Sequence, residues 1–338
     1  MIPRLDIRFT LNQLSAFIRG ASYQPLDCEF LLDHARSGIL LALRSLHLQE
    51  GDEVGVMVYN CHTVFHAVAQ SGCQPVFIDI TEGLSIDLED LKTKVGNLRA
   101  LIVSHLFGIQ NEISSIQSLY PHLPIIEDCA HAFGIQELKG DFSVFSIGQG
   151  KFPSIGDGGI LCVNNEVYLE EIRRLYAELP YYTFWDEVKL LGRLSLKSFL
   201  YRPYIYSLFT KPIKQRIRQT RVTGINPKKM NSGIRRVYEK EREQAAVSIE
   251  KRKHNAQSLI ESIHIQGVTF FYGTNAFMLI AYTDSLTELE AFFTDIGIET
   301  ATHFSHCIEW ATSFGYHDGM CPNAEYLTNH LLMIPTYM

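Results

Sequence analysis

Between Gly38 and Val163, short apolar runs alternate with stretches whose apolar residues recur at helical spacing. This alternation constrains the fold more than any other feature. Runs at 53–58, 75–80, 99–105, 124–128, 142–147 and 159–163 read as strands, and stretches at 37–48, 63–71, 87–95 and 113–120 read as helices. Strands spaced by helices imply crossover connections and a mostly parallel sheet. Their apolar interiors suit a sheet covered on both faces. In such sheets ligands sit beyond the carboxyl ends of the strands. His105, Asp128 with His131, and the segment from Ser146 to Lys151 all fall there.

Beyond Val163 a charged helix is expected over 166–176 and a strongly helical stretch over 235–262; the remainder reads as a small α+β unit. The expected division is a large α/β domain over 1–245, with a basic insert at about 185–238, and a small domain over 246–338. Composition fits globular domains: 46% of residues are hydrophobic and 20% charged. The seven cysteines show no close pairing and no zinc-like C-x-x-C, so reduced thiols and a cytoplasmic location are expected, with no metal site. The first residues scatter charge among apolar side chains, unlike a signal peptide, and no apolar run approaches the ~20 residues of a membrane span.

The net charge of −7 argues against a nucleic-acid partner but conceals an asymmetry. From Lys189 to Tyr238 there are thirteen basic residues and no acid; elsewhere 17 basic residues (30 − 13) face 37 acids. The chain is an acidic body of −20 with a basic insert of +13.

Lys151 is the central chemical candidate. A P-loop is excluded, because its pattern requires glycine at Phe145 and Ser or Thr at Phe152. A surface lysine in a glycine-rich loop and a Schiff-base lysine both remain open; apolar surroundings would lower the amine's pKa and favour the second. Asp128 ends a buried strand, where a carboxylate needs a charged partner. Capping of the following helix and pairing with the ring nitrogen of pyridoxal phosphate (PLP) are both compatible with that position.

Taken together, Glu127-Asp128, His131, Gly134, Phe145-Ser146, Lys151 and Gly156-Asp157-Gly158-Gly159 resemble the DegT/DnrJ/EryC1/StrS family. Ser37-Gly38 with Ala42-Leu43, Gly51-Asp52-Glu53, Tyr59, Pro75 to Asp79, His105 to Gly108, Pro322 to Glu325 and Ile334-Pro335 extend the resemblance. It is continuous from about Ser37 to Arg174 and patchy beyond. The resemblance implies an α/β fold-type-I PLP transferase: a mostly parallel sheet flanked by helices, with a smaller C-terminal α+β domain. It implies a transaminase that takes an amine, expected from glutamate, and passes it to a nucleotide-linked keto-sugar in polysaccharide or glycoside biosynthesis. Lys151 would be the Schiff-base lysine and proton shuttle, and Asp128 the partner of the pyridine nitrogen. His131 would bond the phenolic oxygen and Ser146 the phosphate, together with backbone amides at Ser37, Gly38 and Ile39. Asn226, in a G-x-N pattern, would reach the phosphate in a neighbouring subunit of a homodimer; Asn231 is the competing choice.

This sequence departs from the family at several positions. Ile39 replaces a threonine, Cys61 stands where an aromatic commonly stacks on the cofactor ring, with Tyr59 or His62 as substitutes, and Glu309 stands in place of a histidine. A catalytically silent relative serving as a partner or scaffold, or a PLP enzyme with a non-nucleotide substrate, are the alternatives. The lysine at 151 disfavours the dehydratase branch. The basic insert has three readings: a diphosphate-binding segment, a membrane-surface segment, or a helical excursion facing the acidic body of a dimer mate. The last is favoured.

Overall fold

The computed structural model describes residues 1–6, 9–206 and 224–338. A seven-stranded sheet runs in the order β1-β7-β6-β5-β4-β2-β3. β2 (Glu53–Met57), β3 (Gln74–Ile78), β4 (Leu98–Ser104), β5 (Ile125–Cys129) and β6 (Phe142–Ser146) are mutually parallel. β7 (Gly159–Val163) is antiparallel to β6, and β1 (Glu29–Leu32) is antiparallel to β7. Each of the six expected runs forms a strand. β1 was not foreseen, because a four-residue edge strand is too short to show a period.

Parallel neighbours need crossovers. α3 (His62–Gln70), α4 (Leu88–Lys94) and α5 (Ile113–Leu119) supply them between β2 and β5. β6 and β7 are antiparallel, so a loop over 147–158 suffices, and it turns at the carboxyl end of β6. That loop carries Lys151. α2 (Ala35–Ser45) packs across β7 and β6 and is apolar almost all round: Ile39 to Leu43 are buried without a break. A helix with this pattern belongs inside a domain. Gly159 permits its close approach, since a Cβ there would lie 2.3 Å from the Ala35 nitrogen.

The C-terminal sheet orders β10 (Leu331–Pro335), β9 (Met278–Thr283) and β8 (Val268–Phe271), all antiparallel. It has its own core, including Ala256, Leu279, Leu289, Phe293 and Leu332. Two contacts seat it on the large sheet. Gly273 meets the Gly108 backbone so closely that a Cβ would fall 2.1 Å from the Gly108 carbonyl carbon. Buried Asn275 donates to the carbonyls of His131 (3.0 Å) and Phe133 (3.1 Å).

α1 (Leu11–Arg19) opens on a capping box formed by Thr10 and Gln13, worth about 1 kcal/mol. It packs against the helix Ser232–Glu243. α6 (Leu169–Ala177) and α7 (Phe184–Leu200) follow the main sheet, and α7 starts with a second capping box, Thr183 with Asp186. Five of the thirteen basic residues of the insert (Lys211, Lys214, Arg216, Arg218 and Arg221) lie outside the described residues. Among the described residues no helix is long and apolar enough to cross a membrane.

Candidate active site

The carboxyl ends of β4, β5 and β6 converge on Lys151. Its Nζ lies 2.7 Å from His131 Nε2. The amide of Phe107 donates to His131 Nδ1 at 3.4 Å, which leaves the proton of a neutral imidazole on Nε2. Nε2–H then points at Nζ, a contact that an unprotonated Lys151 amine accepts. Burial pushes both groups in that direction. It drives His131 well below its usual range, with Lys151 adding to the effect, and it lowers Lys151 against the smaller opposing pull of Cys61 and Asp128. The His131 ring stacks on Phe107 (5.1 Å), Phe277 (4.8 Å) and Phe304 (5.6 Å).

Asp128 is the next-to-last residue of β5 and is buried. Its carboxylate accepts from the Ala130 amide (3.1 Å) and the Ser104 hydroxyl (3.1 Å), and Asn60 in turn donates to Ser104 (2.7 Å). Burial raises its pKa; the Ala130 amide, Lys151 and Ser104 only partly offset this. Neighbouring Glu127 points to the other face of the strand. There it pairs with His105 at 2.7 Å and accepts from the amides of Lys139 and Gly140. That second pair fastens β4 to β5 and leaves Asp128 to the site.

Cys61 stands at the N-terminus of α3, close enough to Lys151 to feel its charge. Its Sγ accepts from the Thr63 hydroxyl at 3.1 Å. Burial opposes ionisation, but the bonds from His62 and Thr63 and the charge of Lys151 outweigh it and bring the thiol to about 7. Both proposed aromatic substitutes have partners within the chain. The Tyr59 hydroxyl is spent on the His303 carbonyl (2.8 Å), and His62 packs edge-on against Trp310. His303 was not foreseen. It comes from the C-terminal unit, faces the His131 ring edge-on at 6.3 Å, and its buried Nδ1 has no partner. Burial, then the charge of Lys151, lowers it to about 3.

The residues expected to offer phosphate amides lie within α2. α2 begins at Ala35, so Ser37, Gly38 and Ile39 lie inside the helix. The Ser37 amide bonds the His34 carbonyl, its hydroxyl bonds Asp33 (2.7 Å), and Gly38 faces Val144. Helix amides without internal partners belong to the first turn, here at Ala35 and Arg36. His34 bridges Asp33 (3.1 Å) and Asp157 (3.4 Å) at that turn. Ser146 ends β6 partly buried, beside the Gly148–Gly156 bridge of the lysine loop. Asn226 is exposed, and Asn231 is taken up in capping the helix Ser232–Glu243, where its Oδ1 accepts two amides. Glu309 is on the surface, paired with His306.

Residues 33–178 match the sequence profile of the DegT/DnrJ/EryC1/StrS aminotransferase family. That stretch, under half of the chain, is what it shares with the family. Its members are PLP-dependent aminotransferases. GDP-perosamine synthase of Vibrio cholerae is 32% identical over 145 residues, 40% of each chain. The next two curated relatives are matched over 37% and 44% of their own length, so the chain spans about two fifths of the relatives it matches first. Likeness of fold extends further. The aminotransferase TlmJ from Streptoalloteichus hindustanus superposes with a TM-score of 0.75 at 18% identity, over 99% of this chain and 93% of that one. Spr1654 of Streptococcus pneumoniae, in its PLP form, gives 0.74 at 14% identity, over 97% and 92%.

The donor set of this site fits PLP at two ends. A buried carboxylate without a bonded cation suits a pyridinium N–H, and a buried amine bonded only to an imidazole suits an aldehyde. The close Gly159–Ala35 approach brings the first turn of α2 against the base of the lysine loop.

Proposed function

We propose that the protein is a PLP-dependent aminotransferase that moves an amine from an amino-acid donor, glutamate by preference, to a nucleotide-linked keto-sugar. The observation that carries this reading is the placing of a buried Lys151, bonded to His131, near a buried Asp128 to which no cation is bonded. PLP, when bound, supplies an electron sink and carries the amine between the two half-reactions. Asp128 would hold a proton at the ring nitrogen. Lys151 would attach the cofactor and afterwards move a proton to and from substrate carbon, a task that requires the unprotonated amine His131 helps maintain. Ser146 and the first turn of α2 would receive the phosphate. Phe304 and His303 exclude water on the side of the C-terminal unit. The relatives' names supply the substrate class, and the seven free cysteines fit a cytoplasmic location. A homodimer in which Asn226 serves the neighbouring subunit is part of the same reading.

A second reading, a silent relative acting as a scaffold, draws on the two carboxylates beside the α2 turn and on Cys61. Reconstitution separates the two. Purified protein incubated with PLP should absorb in the visible, and L-glutamate should bleach the band reversibly. Lys151→Ala should show neither behaviour. A colourless wild type at saturating PLP would overturn the enzymatic reading.

A further inference from the structure

Arg252 is a buried cation on the helix Ala245–Ser262 and takes no part in the chemistry proposed for Lys151. Its guanidinium lies over the Phe152 ring, 4.6 Å from the centroid. Nη1 donates to the Phe277 carbonyl (3.3 Å) and to the Thr336 hydroxyl (3.2 Å). That hydroxyl donates in turn to the Ala276 carbonyl (2.6 Å). Holding a guanidinium on neutral acceptors in the interior is unfavourable. Burial lowers Arg252 to about 10, while Asp6 and Tyr337 pull the other way, so the group remains charged at neutral pH. A leucine would fill the same space without that penalty.

The two arms of this contact end on the two halves of the site. Phe152 directly follows Lys151 in the lysine loop. Phe277 stacks on the His131 ring at 4.8 Å, and His131 Nε2 is the partner of Lys151 Nζ at 2.7 Å. Ala276, just before Phe277, has a φ of 45°, a left-handed conformation that is unfavourable for a residue with a Cβ. Such a turn persists only where its surroundings hold it. Here Thr336 holds the Ala276 carbonyl and Arg252 the Phe277 carbonyl. A planar cation stacks by its face on one aromatic residue and donates by its edge to the backbone of another; lysine and methionine cannot do both. Arg252 therefore clamps Phe152 to Phe277, and the Lys151–His131 distance depends on the position of both.

We propose that Arg252 is a positioning residue: its clamp on Phe152 and Phe277 holds Lys151 against His131 and keeps the lysine amine ready for an aldehyde. The proposal rests on the reading of Lys151 as the PLP lysine, so its first test uses no cofactor. PLP-free full-length protein is treated with formaldehyde and cyanoborohydride from about pH 6 to 10. Methylation of Lys151 is followed by peptide mass spectrometry against that of exposed Lys92. In the wild type the Lys151 midpoint is expected below that of Lys92. In Arg252→Met and in Arg252→Lys it should rise by about one pH unit, a roughly tenfold loss of reactive amine at neutral pH, while Lys92 stays unmoved. Both variants should then bind PLP about tenfold more weakly, read from the visible band. Arg252→Lys keeps the charge and loses the planar clamp. A wild-type midpoint in Arg252→Lys would overturn the proposal, because charge alone would then be acting; so would a wild-type midpoint in an Arg252→Met protein with native circular dichroism. If Arg252→Met does not fold, Phe152→Leu and Thr336→Val cut the two arms singly and carry the same expectation. Shifted midpoints in a protein that stays colourless with PLP would sink the aminotransferase reading and leave the clamp standing.

Discussion

Asp128 is held in place by one amide and one hydroxyl, with no cation bonded to it. Asp128→Asn keeps its shape and removes its charge. The variant is expected to bind PLP yet to lose about 10- to 100-fold in kcat, the worth of one charged hydrogen bond in the transition state; single-turnover bleaching by glutamate measures it. Cys61 is expected to link stability to pH in the PLP-free protein. Its folded pKa, about 7, lies below the unfolded thiol value, so the unfolded state binds more protons between the two. Stability of the wild type relative to Cys61→Ala should therefore rise with pH above about 7 and lose this advantage as pH falls through it. Urea titrations at several pH values check the sign. Lys151, Asp128 and His131 were legible in sequence because each is a polar residue at or just past the end of an apolar run. His303 was not, because only the folded chain brings the C-terminal unit against His131.

At the scale of elements, the junction of α2 with β7 shows where sequence reading slips. Ser37-Gly38 looks like a helix start, yet the helix begins at Ala35 after His34, which makes no side-chain cap. Without a capping residue nothing local marks the first turn, and Ser37 reads as a helix start two residues past the observed one. Strand positions were read correctly because buried parallel strands are dense in β-branched and aromatic residues. The edge strand β1 and helix α1 escaped, the first through shortness and the second because its partner helix lies more than two hundred residues away in sequence. The same junction carries a prediction. Gly159→Ala would drive a methyl into the His34–Ala35 backbone, which cannot yield as a side chain would. A loss of about 2–4 kcal/mol in urea unfolding is expected, together with weaker PLP binding.

At the scale of the whole molecule, two sheets meet around one site, and α7 lies against the lysine loop. Sequence separated the acidic body from the basic insert by counting, but it could not say which side of α7 faces outward, since both sides are apolar. The inner side makes contacts that matter here. Lys197 Nζ donates to Gln149 at 2.6 Å, two residues before Lys151, and the Leu194 side chain sits against Gly156 in the same loop. Lys197 and Leu194 tie α7 to the loop, so a shift of that helix would be felt two to five residues from Lys151.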